Sequence, residues 1–245
     1  DVRPVYDGLE CPVDANGRAV GNGALYVSDV RRQLHPMERH FYQAAQQAGL
    51  PFTEAFNGPQ PEGVGRYRIN TRRGMRWSAA DAFLRPAMAR GKVALHTGAR
   101  VERVLFEGKQ AVGVTYRQAG ASHTVRARAA VVLSAGAIQS PQLLQLSGVG
   151  PGALLQQHGI DPVLVQEQVG ANLQDHLAMS YYFKATEPTL NNVLSTWWGK
   201  LRVGLQDVGS LSGPLSISVN QCGGFVRSTP EQPRPDMQLY CNPIT

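Results

Sequence analysis

Between residues 93 and 128 apolar and polar positions alternate with period two, and the alternation breaks only at glycine-centred turns. A strand sends successive side chains to opposite faces, so the pattern predicts four short strands, over 93–97, 101–107, 111–117 and 122–128. Glu107-Gly108-Lys109 and Ala119-Gly120-Ala121 supply the turns. The pattern then becomes continuous: 130–134 is an almost unbroken apolar run and reads as a buried strand. Ala135-Gly136-Ala137 strips the backbone of bulk, Ser140-Pro141 opens a short amphipathic helix over 142–146, and Gly148-Val149-Gly150 closes it.

Helical spacing appears upstream. Phe41, Ala44, Ala45 and Ala48 share one face of a helix that begins near Pro36 and stops at Gly49. Ser78 is the N-cap of a helix over 79–84, Asp81 holds the capping-box position, and Arg85-Pro86 kinks or ends it. Residues 1–33 are Gly-rich and aperiodic, loop with a short strand near 24–27, and 51–74 reads as one long loop. Downstream the pattern predicts a helix over 151–158 stopped by Gly159, a strand over 162–165 and another over 179–184. A helix over 194–205, with Trp197-Trp198 near its start, precedes strands at Phe225-Val226 and 237–241. The fold class is α/β (α+β).

Length and charge narrow the picture. The chain has 245 residues, enough for one large or two small domains. No apolar run reaches the ~20 residues of a membrane helix, so no membrane span is expected. The start at Asp1 without a leader pattern and the end at Thr245 suggest an excised piece of something longer. Net charge is +6, from 24 basic and 18 acidic residues. The bases are scattered: Arg31-Arg32, Arg66, Arg68, Arg72-Arg73, Arg76, Arg126 and Arg128. Tyr67 and Trp77 flank one group, but a nucleic-acid face clusters its bases, so no nucleic-acid partner is expected. Cys11, Cys222 and Cys241 are odd in number and widely spaced, which is neither a disulfide framework nor a metal motif. They favour reducing, cytoplasmic surroundings. Among six His residues only His35 and His40 approach ligand spacing, and Pro36 places His35 before its helix, so no zinc site is expected.

The candidate chemistry lies in the small-residue corner after 130–134. A glycine lets main chain approach a bound group closely, and a helix start offers free N–H groups to something polar. In α/β proteins cofactors sit at such a turn, beyond the carboxyl end of a strand. Gly148-Val149-Gly150-Pro151-Gly152-Ala153 fits a loose G-x-G-x-x-A dinucleotide fingerprint, but a helix precedes it. These glycines therefore read as a C-cap and linker, and the chain holds no credible pyrophosphate-binding element.

The ordered run Gly136, Ser140-Pro141, Leu143-Leu144 and Ser147-Gly148-Val149-Gly150 resembles the second signature of the glucose–methanol–choline (GMC) oxidoreductases, which use FAD. Phe56-Asn57-Gly58 with Glu62-Gly63-Val64-Gly65 is similar to the family's loop before its Ser-Ala-Ala helix, here Ser78-Ala79-Ala80. Gly98-Ala99-Arg100-Val101-Glu102-Arg103-Val104 resembles the segment whose backbone holds the adenine of FAD. Gly170-Ala171-Asn172-Leu173-Gln174-Asp175-His176 is similar to the family's G-x-N-L-Q-D-H stretch. There a carboxylate beside an imidazole could fix the ring's tautomer, or the segment is an internally hydrogen-bonded loop.

The resemblance implies the middle of a two-lobed FAD enzyme, choline dehydrogenase-like. The family's nucleotide-binding βαβ unit and its catalytic His region match nothing here, so no catalytic residue is assigned and His176 is not taken as the base. Residues 1–76 would be a substrate-lobe and connecting segment, 77–177 part of the FAD lobe, and 178–245 part of a substrate lobe built on an antiparallel sheet. Val101 would meet the adenine; Ala135 and Gly136 would lie beside the flavin's nucleotide portion. Two departures concern the substrate. Ala178 stands where choline-oxidising members place a Glu, and Tyr240 where they place a His. Both positions would shape the pocket, and the changes favour a neutral or aromatic alcohol over choline. Attraction to a cationic head would fall to aromatics such as Trp197, Trp198, Tyr181 and Tyr182. The implied activity is oxidation of a small-molecule alcohol to an aldehyde or ketone, with hydride passing to flavin; the alternative is an inactive remnant or interaction module without flavin.

Overall fold

The computed structural model describes residues 2–210, 213 and 216–244. Two compact units divide the chain, one of Asp1–Val93 with Tyr181–Thr245 and one of Ala94–Ser180.

The amino end is more ordered than its composition suggests. Helix α1 (Arg3–Leu9) carries Pro4 in its first turn, where the missing N–H costs nothing. It buries no residue, which is why no apolar stripe announces it. Strand β1 (Glu10–Val13) pairs in parallel with β2 (Leu25–Ser28), the strand expected near 24–27. Helix α2 (Glu38–Gln47) follows the predicted periodicity, and Gly49 ends it at φ +78°.

His35 lies just before α2. Its Nδ1 accepts a hydrogen bond from the Met37 N–H at 3.2 Å, and its own N–H is donated to Oε1 of buried Gln221 at 2.7 Å. Burial holds the imidazole pKa below its ordinary value. A base whose pKa is lower folded than unfolded binds its proton more readily in the unfolded chain. Stability is therefore full above the unfolded value of about 6.5 and is lost as pH falls from there through the lower folded value. Thermal unfolding of the first unit should shift to lower temperature as pH falls below about 6.5. His35→Asn, whose amide oxygen can accept the same N–H without titrating, should flatten that slope. An unchanged slope in the variant would contradict this role.

The expected loop over 51–74 contains β3 (Gly63–Arg66) and β4 (Thr71–Arg72), and β4 forms a hairpin with β5 (Met75–Arg76) just beyond it. The hairpin turns through Arg73 and Gly74, both at positive φ. β3 escaped the period-two reading because it is Gly-Val-Gly-Arg; a Cβ on Gly65 would strike the Thr53 carbonyl oxygen. One of the basic residues here serves an internal contact: the Arg72 guanidinium lies 4.4 Å from the Tyr26 ring centre and 4.7 Å from that of Trp77. The predicted capping box forms. The Ser78 N–H and Oγ both donate to Asp81 Oδ2, at 3.1 and 2.7 Å. The helix does not end at Arg85-Pro86, however. A π turn over Ala80–Leu84 runs on into α3 (Arg85–Ala89). The Arg85 N–H reaches back to the Ala80 carbonyl, and the widened turn gives the Pro86 ring room.

The second unit is built on a meander of β6 (Arg100–Glu107), β7 (Gln110–Gln118) and β8 (Ala121–Arg126), antiparallel in that order. Its turns use Gly108, Ala119 and Gly120 at positive φ, as expected from the sequence. Arg117 pairs across strands with Glu102 at 2.9 Å, and Arg126 with Glu107 at 2.7 Å. Two predicted strands are absent. Residues 93–97 form no ladder, and 130–134 are neither paired nor buried; Val132 is 83% exposed. An apolar run becomes a buried strand only when other strands flank it, and none of the described residues does so. Helix α4 (Gly136–Leu146) starts six residues before the predicted 142, with Pro141 inside it. The carbonyl that Pro141 leaves without a donor is that of Ala137, which is exposed to water. A small parallel unit follows, of β9 (Val149–Gly150), α5 (Gly152–Gln157) and β10 (Leu164–Val165). Val104, Leu143, Ser147 and Leu155 form the unit's buried centre.

Residues 179–184 are exposed coil rather than the predicted strand; Tyr181, Tyr182 and Phe183 have no strand partner among the described residues. Two helices follow, α6 (Leu190–Leu194) and α7 (Trp197–Ser210). Strand β11 (Cys222–Val226) then pairs antiparallel with both β12 (Met237–Cys241) and β3, giving the sheet order β12-β11-β3. Among the described residues no helix is long and apolar enough to cross a membrane.

Candidate functional site

The amino end of α4 is an open main-chain corner. Gly136 has φ +89°, and a Cβ built on it would meet no atom within 4 Å. Ala135 and Gly136 are both exposed, no acidic residue occupies the first turn, and no side chain caps it. The Ala135 N–H is folded back onto Ser140 Oγ at 3.0 Å. The following N–H groups of the first turn have no intrahelical acceptor and carry the positive end of the helix dipole. Main chain of this kind can lie against a flat or anionic group without a side chain intervening.

The rest of the signature locks the carboxyl end of the same helix to β6. Ser147 Oγ accepts the Val104 N–H at 2.9 Å and donates to the Leu143 carbonyl at 2.5 Å, with both Ser147 and Val104 buried. β6 is an edge strand of the meander, so its outer main chain is free for such contacts. Val101 lies on the same strand three residues earlier and is 40% exposed, beside an irregularity in the pairing with β7. The unit thus brings Val101, Ala135 and Gly136 onto two elements joined through Ser147.

The glycines after Ser147 serve packing rather than phosphate binding. Gly148 has φ +85°, and a Cβ there would lie 2.6 Å from the Asp161 carbonyl oxygen. A Cβ on Gly150 would lie 2.9 Å from Gln145 Cγ. The amino end of α5 is already occupied, since the Gly152 N–H donates to Glu167 Oε1 at 3.1 Å. Gly148 acts as the helix stop, as read from the sequence, but Val149 and Gly150 form a strand rather than a linker. Sequence reasoning missed Gln145. Its Nε2 donates to the Val169 carbonyl at 3.0 Å, tying the 170–176 segment back to α4. Gly170, whose Cβ would lie 2.6 Å from that nitrogen, was the available signal.

The 172–176 segment is exposed, with Asn172 at φ +56°. Asp175 Oδ1 accepts the His176 backbone N–H at 2.8 Å, so the carboxylate serves the main chain. Ala178 is exposed in the same unit. Tyr240 belongs to the other unit, on β12, with its ring 5.8 Å from that of Tyr67 and 55% of the residue exposed. Tyr67 was read from the sequence only as a flank of basic residues. Its Oη donates to the Leu239 carbonyl at 2.9 Å, and its ring centre lies 5.1 Å from that of Phe56, the two rings tilted by 35°. Burial pushes its phenol pKa up. Among the described residues no three His, Cys, Asp or Glu side chains converge as a metal-ligand set.

The family model described as GMC oxidoreductase matches residues 1–178. Mitochondrial choline dehydrogenase of Mus musculus is 41% identical over 229 residues, 94% of this chain and 38% of that protein. The alcohol dehydrogenase [acceptor] of Pseudomonas putida is 40% identical over 225 residues, 91% of this chain and 41% of its own. An FAD-dependent oxidoreductase from Chaetomium thermophilum superposes with a TM-score of 0.79 at 24% identity, covering 91% of this chain and 42% of that one, a likeness of fold. The chain spans about two fifths of the length of these relatives. With a family match over residues 1–178 and a mixed fold shared with an FAD-dependent oxidoreductase, the chain belongs to the GMC oxidoreductase family.

Proposed function

We propose that this chain contributes to an enzyme that oxidises an alcohol to an aldehyde or ketone with FAD as cofactor. The unit Ala94–Ser180 would hold the FAD, and the unit containing β12 would form part of the substrate lobe. The observation that carries the reading is the open, uncapped corner at Gly136, at the start of a helix whose carboxyl end is tied to β6 through Ser147. Ala135 and Gly136 would offer main chain to the nucleotide portion, and Val101 would offer a backbone edge and an apolar side chain to the adenine. FAD, when bound, supplies the hydride acceptor. The residues of this chain bind and orient; none is assigned a proton-transfer role. The three free thiols fit a reducing, cytoplasmic compartment.

Ala178 and Tyr240 would set the preference within the alcohol class. Neither carries a negative charge to attract a quaternary ammonium, and a phenol can donate a hydrogen bond to a neutral oxygen. The relatives named for choline and for alcohol frame the choice. The test is dye-coupled oxidation by the gene product that carries this sequence, assayed with aliphatic alcohols, aromatic alcohols and choline. We expect kcat/KM for a neutral or aromatic alcohol at least ~10-fold above that for choline. A flavin-loaded protein that reduces dye with no alcohol would overturn the reading, and purification without flavin would favour an interaction module.

A further inference from the structure

Cys222 and Cys241 stand far apart in sequence but directly opposite each other in the register of β11 and β12. Opposed residues on antiparallel strands project to the same face. Their Cα atoms lie about 4.5 or 5.5 Å apart, according to the type of pair, and both spacings fall inside the ~4.4–6.8 Å that a disulfide spans. Both thiols are free and within hydrogen-bonding contact of each other. The remaining cysteine, Cys11, is buried on β1, where its Sγ donates to the Gly21 carbonyl at 3.0 Å.

The two opposed thiols are not equivalent. Cys222 is 1% exposed, whereas Cys241 is half-buried on the edge strand of the sheet β12-β11-β3. The S–H of Cys222, hydrogen-bonded to Cys241, holds the Cys241 pKa below the ordinary thiol value, while the same bond and burial push Cys222 up. Around them lie the buried Tyr42 hydroxyl and Glu38, which is paired with Arg66 at 3.2 Å. The pair therefore combines a thiol on a half-buried edge-strand residue that ionises more easily with a fully buried one that still carries its proton, as a nucleophile and a resolving thiol require.

We propose that Cys222 and Cys241 form a peroxide-reactive dithiol that closes to a cross-strand disulfide beside Tyr240. The Cys241 thiolate attacks one oxygen of a hydroperoxide; the O–O bond breaks, hydroxide leaves, and a sulfenic acid remains on Cys241. The Cys222 sulfur then attacks the Cys241 sulfur. The S–S bond forms, the S–O bond breaks, and the hydroxyl departs as water with the Cys222 proton. In sum, two thiols and one hydrogen peroxide give one disulfide and two waters.

The test is treatment of the full chain with hydrogen peroxide, alkylation under denaturing conditions, and non-reducing peptide mapping. The expected result is a fall in alkylatable thiols from the three of the untreated chain to one, at Cys11. A mass loss of about 2 Da and a reductant-reversible link between the Cys222 and Cys241 peptides should accompany it. Cys11→Ser should form the same link. Cys222→Ser should leave a sulfenic acid on Cys241 that dimedone traps. Three outcomes would overturn the proposal: both thiols remaining alkylatable, Cys241 advancing to the sulfinic acid with Cys222 still reduced, or a link to Cys11 or between chains.

Discussion

Gly148→Val is expected to cost the Ala94–Ser180 unit about 4 kcal/mol, a large share of a domain's typical stability. Two effects add. Gly148 sits at φ +85°, where an L side chain costs roughly 1–2 kcal/mol. Its Cβ would lie 2.6 Å from the Asp161 carbonyl oxygen, 3.0 Å from Val163 Cγ2 and 3.1 Å from the Val163 nitrogen. Overpacking of this kind costs ~1–3 kcal/mol, and here backbone must move to relieve it. That movement breaks the bonds from the Val163 and Leu164 N–H groups to the Gly148 carbonyl, at 2.8 and 3.1 Å, which hold β10 to the signature. All three tryptophans, Trp77, Trp197 and Trp198, lie in the other unit, so fluorescence would miss the change. Amide hydrogen exchange in β6–β8 should read it as a loss of protection of roughly 10³-fold. Protection equal to that of the unmodified chain would contradict the account.

Gly223→Val should have an effect of similar size in the first unit. Gly223 faces Tyr240 across the β11–β12 pair. A Cβ there would collide with the Leu239 carbonyl oxygen and lie 2.5 Å from the Tyr67 hydroxyl. Tyr67 can swing aside, but the carbonyl is backbone and cannot, so the ladder must open. Opening it removes the bond from Tyr67 Oη to Leu239 and frees the strand that carries Tyr240. A loss of about 4 kcal/mol is expected, read as exchange of the β11 and β12 amides and collapse of the near-ultraviolet dichroism of the Phe56–Tyr67–Tyr240 cluster. Retention of both signals would mean the strands part without penalty.

Local devices were legible in the sequence. The meander with its glycine turns, the Ser78–Asp81 box, helix α2 and the stops at Gly49 and Gly159 all follow from period, caps and positive φ. Elements whose evidence lies in a neighbour were not. β3 is a strand because Gly63 and Gly65 admit the Pro51 and Thr53 carbonyls, which no alternation of apolar residues encodes. The apolar run at 130–134 carries a strand's composition but has no flanking strand among the described residues, so its side chains face water. Helix α1 buries nothing and so left no pattern. The ordered signature around Ser140-Pro141 and Ser147 identified the family, while its internal role became visible only in three dimensions. Ser147 joins α4 to the edge of β6, and the glycines after it fit against Asp161, Gln145 and Val165. The opposition of Cys222 and Cys241 likewise depends on strand register rather than spacing.

The central claim is that main chain at Ala135 and Gly136 lies against FAD. Gly136→Val tests it directly, because the Cβ it adds meets no atom within 4 Å and the strain at φ +89° is the cost it brings. The measurement is FAD affinity by flavin fluorescence titration of the gene product that carries this sequence, paired with amide exchange in β6–β8. The account predicts flavin binding at least ~10-fold weaker, with β6–β8 protection reduced by no more than the ~1–2 kcal/mol of backbone strain. A folded Gly136→Val protein that binds FAD as tightly as the unmodified one would contradict it.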